Sequence, residues 1–152
     1  MYIKQLIIKE VLLLNIEYII KTDNDLRKYK EKYSVLGFSR CNKLIGKDIL
    51  PTKRIDENSV NSRKNLYDKN KEKLDKIRQE NKIFLSKVDL ENDLDEILHA
   101  KLVKCLKTSN PVEYLQDSKS FNMEELVEKL TTKDCKIIYE SYNFECLKEV
   151  LK

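Results

Sequence analysis

Apolar positions in this chain follow two rhythms. Near the start, Ile3, Leu6, Ile7, Val11 and Leu14 recur at three- and four-residue spacing, which predicts a helix over residues 2–14. Asn15 breaks it, and residues 16–20 are then apolar on both faces apart from Glu17, as in a buried parallel strand. Residues 27–33 are charged and read as helix-prone. A short helix is expected between Gly37 and Gly46, with Gly46 as its C-terminal stop. Residues 51–61 are polar and read as a loop. Residues 62–81 read as one lysine-rich surface helix with a thin stripe of Leu66, Leu74 and Ile77. A second apolar run at 83–88 predicts another strand. Residues 93–106 form an amphipathic pattern, with Leu94, Ile97, Leu98, Leu102, Cys105 and Leu106 inward and acids at the helix N-terminus. Short helices are expected at 111–116, 123–130 and 142–151, the second opened by a capping box of Asn122 and Glu125.

Helix followed by strand is the second half of a βαβ unit. The pattern therefore predicts the α/β class: a parallel sheet with flanking helices and a helical C-terminal tail. Composition agrees, because 37% charged residues with two Gly and two Pro suit solvated helices better than a turn-rich β-sandwich. A formal charge of +4 is compatible with a nucleic-acid partner without requiring one. The four cysteines form no C-x-x-C pair and His99 is the only histidine, which argues against zinc. Lys9 and Glu10 interrupt the first apolar stretch, so no secretory signal or membrane span is predicted. Free thiols and a cytoplasmic location are the expectation.

The chemistry concentrates where the two predicted strands end. The first runs into Thr22-Asp23-Asn24-Asp25, the second into Val88-Asp89-Leu90-Glu91. Carboxylates gathered at the carboxyl ends of parallel strands suit Mg²⁺, which takes hard oxygen ligands. In extended chain Asp23 and Asp25 share one side. Each pair also has a plainer reading: Asp23 or Asp25 as the cap of a helix near Leu26, Asp89 or Asn92 as the cap of the next. Lys119 has no local feature that marks it out. Gly46-Lys47 is not a phosphate-binding P-loop, since the glycine required five positions earlier is Cys41. His99 has no nucleophile partner in the sequence and reads as structural.

Several blocks, in order, resemble a known family. Ile19-Ile20-Lys21-Thr22-Asp23-Asn24-Asp25-Leu26-Arg27, Gly37-Phe38-Ser39-Arg40-Cys41, Val88-Asp89-Leu90-Glu91-Asn92-Asp93-Leu94 and Pro111-Val112-Glu113-Tyr114-Leu115-Gln116, with Lys119 and Asn122-Met123, are similar to the C-terminal part of the TOPRIM domain of OLD-family (overcoming lysogenization defect) ATP-dependent endonucleases. The resemblance implies that residues 1–107 are a partial TOPRIM nuclease domain and 108–152 its helical C-terminal extension. It implies Mg²⁺ or Mn²⁺ as cofactor, with Asp23, Asp25, Asp89 and Glu91 as ligands. Lys119, with Glu91, would serve catalysis beside the scissile phosphate. The family's first strand and glutamate, and its ATPase, are expected upstream of Met1. DNA is the implied partner, along with a separately encoded ATPase–TOPRIM half, in bacterial or phage conflict. A sheet edge left open would also suit pairing with a second copy. A non-catalytic remnant, or a module that binds DNA or a partner, is the competing expectation.

Overall fold

The computed structural model describes residues 17–152. The helix expected at 2–14 lies outside the described residues. Among these residues the chain is mixed α/β, with eight α-helices and two small sheets.

The central pair is parallel. β1 (Ile20–Thr22) lies against β4 (Ile83–Leu85), with Ile20 opposite Ile83, Lys21 opposite Phe84 and Thr22 opposite Leu85. All three β4 residues are buried, as expected for an apolar run between helices. The ladder continues past the strands, since the Ser86 amide donates to Thr22 (2.9 Å) and the Asn24 amide to Val88 (2.9 Å). The first strand thus lies further along the chain than the expected 16–20. Lys21 and Thr22, which look polar locally, are its centre and end.

Residues 26–35 correct the helical expectation. They form an antiparallel hairpin of β2 (Leu26–Tyr29) and β3 (Lys32–Val35), and Lys30 in its turn has φ 57. Only the innermost pair, Leu26 and Val35, reaches the core. The outer residues are polar because they are solvated, which hides the alternation that marks a half-buried strand.

α1 (Leu36–Ile45) follows and ends at Gly46, whose φ of 74 is the left-handed conformation glycine adopts freely. Asn42 is buried and folds the next loop back, bonding the Leu50 carbonyl (2.8 Å) and the Leu50 amide (2.9 Å). The lysine-rich stretch is two helices rather than one: α2 (Val60–Lys69) and α3 (Lys71–Asn81), broken at Asn70. The Asn70 side chain bonds the Leu66 carbonyl (2.9 Å), competing with helix continuation.

α4 (Leu90–Leu106) starts at its Asp89 cap and bends at Leu98, where φ is −128. α5 (Pro111–Asp117) opens with proline in its first turn. α6 (Lys119–Lys129) begins after a single intervening residue. Asn122 is therefore inside a helix and not its cap; it is buried, and its amide donates to the Tyr114 carbonyl (2.5 Å). A further helix, α7 (Thr132–Glu140), is opened by a Thr131–Asp134 capping box that the sequence reading missed. The expected 142–151 helix is a 3-10 turn, Tyr142–Phe144, and a short α8 (Cys146–Val150).

Two apolar clusters hold these elements. One joins Val35, Phe38, Cys41, Leu50, Tyr67, Leu74, Ile77, Ile83 and Leu85 around the parallel pair. The other joins Leu94, Leu98, Leu102, Leu106, Leu115, Leu126 and Phe144 among the later helices. No helix among the described residues is long and apolar enough to cross a membrane.

Candidate functional site

Because β1 and β4 are parallel neighbours, the chain leaves both at the same end. Asp23 and Asp25 follow one strand, Asp89 and Glu91 the other. Asn24, between the first two acids, is fully buried; it gives its amide to Val88 and its side-chain NH₂ to the Lys87 carbonyl (3.1 Å), lacing the two strand ends together. With Asn24 turned inward, the half-exposed Asp23 and Asp25 fall on the opposite side of the extended chain. Gly37 permits this packing: a Cβ there would lie 2.8 Å from Asn24 Cα and 3.0 Å from the Asp23 carbonyl oxygen.

The capping alternative divides. No helix starts after Asp25; β2 does, and the Asp25 carbonyl instead accepts from the Leu36 (2.8 Å) and Gly37 (3.2 Å) amides at the start of α1. Asp89, in contrast, is the cap of α4, accepting from the Asn92 amide (2.9 Å). Its other oxygen meets Gln116 Nε2 (3.1 Å). Asp25 is held by Arg40 (2.9 Å), which also reaches the Thr22 hydroxyl and, at 3.4 Å, the Asp23 carbonyl.

Lys119, at the start of α6, brings its ammonium to 2.8 Å from Glu91 Oε1, although Glu91 is only 1% exposed. This ion pair is the contact that Glu91 Oε1 makes among the described residues. Glu91 holds the Lys119 pKa above its ordinary value. Burial pushes the Asp23 carboxyl up, Lys119 opposes this, and Asp25, Asp89 and Glu91 each add to the rise. All five predicted residues therefore share one electrostatic neighbourhood. Among the described residues, however, no three His, Cys, Asp or Glu side chains are grouped so as to hold a metal ion.

Three contributors escaped sequence reasoning. Arg40 and Gln116 hold Asp25 and Asp89. Lys21 reaches the first turn of α4, where its ammonium meets Asp93 Oδ2 (2.8 Å), Ser86 Oγ (3.0 Å) and the Asn143 carbonyl (3.0 Å). Asp93 is 1% exposed and its Oδ1 has no partner. This contact ties the strand carrying Asp23 to the helix carrying Glu91. Each contact joins distant segments, and although Arg40, Gln116, Lys21 and Asp93 all stand in the quoted blocks, nothing in those blocks pairs them.

Elsewhere, a concavity of about 430 Å³ is lined by Asp75, Arg78, Phe84, Tyr142 and Glu145 among others. Its Arg78 is already stacked on Tyr142 and paired with Glu145 (2.9 Å). His99 is exposed and pairs with Asp95 on its own helix (2.8 Å). The four cysteines are free.

No protein-family model matches the chain. A search of curated proteins finds it 40% identical over 151 residues to Endonuclease GajA of Bacillus cereus (strain VD045), covering 91% of this chain and 26% of that protein. The chain spans about a quarter of the length of this curated relative. The similarity is to a nuclease, and it runs through the candidate site.

Proposed function

We propose that this chain is part of a metal-dependent DNA endonuclease of the OLD family, a TOPRIM piece whose chemistry sits at the carboxyl ends of β1 and β4. The observation that carries the reading is the convergence of two acid pairs, from two adjacent parallel strands, beside Lys119. The 40% identity to an endonuclease supports it. Mg²⁺ or Mn²⁺ suits the donor set, since Asp23, Asp25, Asp89 and Glu91 offer only hard oxygens. Asp23 is crowded by like charge that a cation relieves. Bound there, a divalent cation supplies Lewis acidity at the scissile phosphate.

The chain's own groups have separate tasks. Lys119 stays protonated through Glu91 and offers its ammonium to a non-bridging phosphate oxygen, where charge grows during hydrolysis. Arg40 orients Asp25, and the α4 amides and Gln116 orient Asp89. Gathering the acids about an ion requires Asp25 to yield Arg40, or Glu91 to yield Lys119.

One observation favours a second reading, a non-catalytic module that binds DNA or a partner: Asp25, Asp89 and Glu91 already have protein partners. Cleavage of supercoiled plasmid separates the two. The test uses the chain alone, and also the chain substituted for the matched segment of Endonuclease GajA. The nuclease reading expects Mg²⁺- or Mn²⁺-dependent cutting that Asp23→Ala and Lys119→Ala abolish. Full activity in both variants would sink it. DNA binding without cutting by either form favours the module.

A further inference from the structure

We infer that the β2–β3 hairpin, together with Lys53 and Arg54, is a docking surface for the phosphodiester backbone of duplex DNA and leads it across the extended Asp23–Asp25 segment, an inference that rests on the nuclease reading. β2 begins at the residue after Asp25, so the hairpin is a direct extension of the candidate site. Four strand residues at about 3.4 Å each carry it roughly 14 Å outward, the rise of about four base pairs along the axis of duplex DNA.

The hairpin's composition is not what its fold requires. Past the Leu26–Val35 pair it exposes Arg27, Lys28, Lys30 and Lys32 against a single acid, Glu31. Among the described residues, Arg27, Lys28, Lys30, Lys53 and Arg54 have no carboxylate within ion-pair distance. Lys32 pairs with Asp56 at 3.2 Å, but both are well exposed, and such a pair exchanges readily for a phosphate.

Tyr29 is the second observation. It is 51% exposed, and the Arg54 guanidinium stacks over its ring at 4.0 Å, with Lys30 at 5.9 Å. Arg54 is carried by a segment fixed to β3 by paired backbone bonds between Tyr33 and Ile55 (2.7 and 2.9 Å). A planar cation is thus held in place on an open aromatic face, next to cations crowded along the same strands. Stacked guanidinium groups suit phosphate recognition, and a polyanion relieves the crowding. The plain alternative is that lysines merely protect an exposed sheet edge from aggregation.

Fluorescence anisotropy of a short labelled duplex, with EDTA present to leave out the metal site, decides between them. The full chain and an Arg27→Gln, Lys30→Gln, Arg54→Gln triple variant are compared over a salt series, Arg27 being the strand cation on the same face as Tyr29, with circular dichroism confirming the fold. The triple variant should bind at least about tenfold more weakly at low salt. The slope of log affinity against log salt should fall by about 0.9 for each phosphate contact removed, up to about 2.7. Equal affinity and slope would overturn the inference, as would no DNA binding by the unaltered chain. Asp23→Ala separates the two claims. Loss of binding in the triple variant, without cutting by either the chain alone or the chain within Endonuclease GajA, leaves the hairpin standing and removes the nuclease. Cutting that depends on Asp23, with binding unchanged in the triple variant, does the reverse.

Discussion

Replacing Lys21 by Met should cost about 3 kcal/mol, far more than its place on a three-residue strand suggests. The ammonium lies over the Phe144 ring at 5.0 Å and serves Asp93, Ser86 and Asn143 at once. Asp93 is almost wholly buried, and Lys21 is its only side-chain partner among the described residues. Removing the lysine strands a carboxylate with neither oxygen satisfied, a change that costs about 3–5 kcal/mol when the site is dry. Lys21 is 21% exposed, so water can follow it in, which favours the lower end. The reverse substitution, Asp93→Asn, should cost only about 1 kcal/mol, because Lys21 keeps two acceptors and access to solvent. The double variant Lys21→Met, Asp93→Leu should recover most of the loss, since a buried ion pair can be replaced by apolar groups at little cost. Urea unfolding with an unchanged denaturant slope measures all three. A loss below about 1 kcal/mol for Lys21→Met, or a Lys21→Met, Asp93→Leu double variant no more stable than Lys21→Met alone, would show that the buried carboxylate does not depend on Lys21.

Three further outcomes are expected. Gly37→Ala should destabilise the fold by about 1–3 kcal/mol in the same assay, because its methyl meets Asn24 and Asp23 backbone atoms at 2.8 and 3.0 Å. Burial pushes the Cys41 thiol up to about 11, so a maleimide reagent at neutral pH should label exposed Cys135 and leave Cys41 untouched until the protein unfolds. The Thr131 hydroxyl, then the Thr131 amide and Lys101, hold the Asp134 carboxyl down at about 2. The stability it contributes is therefore complete above the ordinary value of 3.8 and lost as pH falls through about 2. An acid titration should show that loss in the parent and little of it in Asp134→Asn.

The parts legible in the sequence are those whose signal is local. β4 is a run of β-branched and aromatic residues, α4 has a clean apolar face, and Gly46 ends α1, so each is visible in a short window. The end of β4 follows from these, whereas the strand expected at 16–20 stops where β1 begins, and the nearness of Asp23 to Asp89 and Glu91 is seen only in the fold. The hairpin was not legible, because an exposed hairpin shows charged residues on both faces and its turn uses Lys30 in place of glycine. Asn70 splits a helix through one side-chain bond that composition does not display. Lys119 stood out only through the family resemblance, and its approach to Glu91 is made by the fold. Lys21–Asp93 has no local mark at all: such pairs are made by the fold and are read only once the fold is known.

The proposed nuclease chemistry turns on a divalent cation held by Asp23, Asp25, Asp89 and Glu91. Mn²⁺ titration of the folded chain, followed by loss of the free-ion electron paramagnetic resonance signal, tests it directly. Saturable binding of one or two ions is expected, weakened at least about tenfold in Asp23→Asn and in Glu91→Gln, each with its fold intact. Absence of saturable binding in the parent chain, or equal binding in both variants, would contradict it.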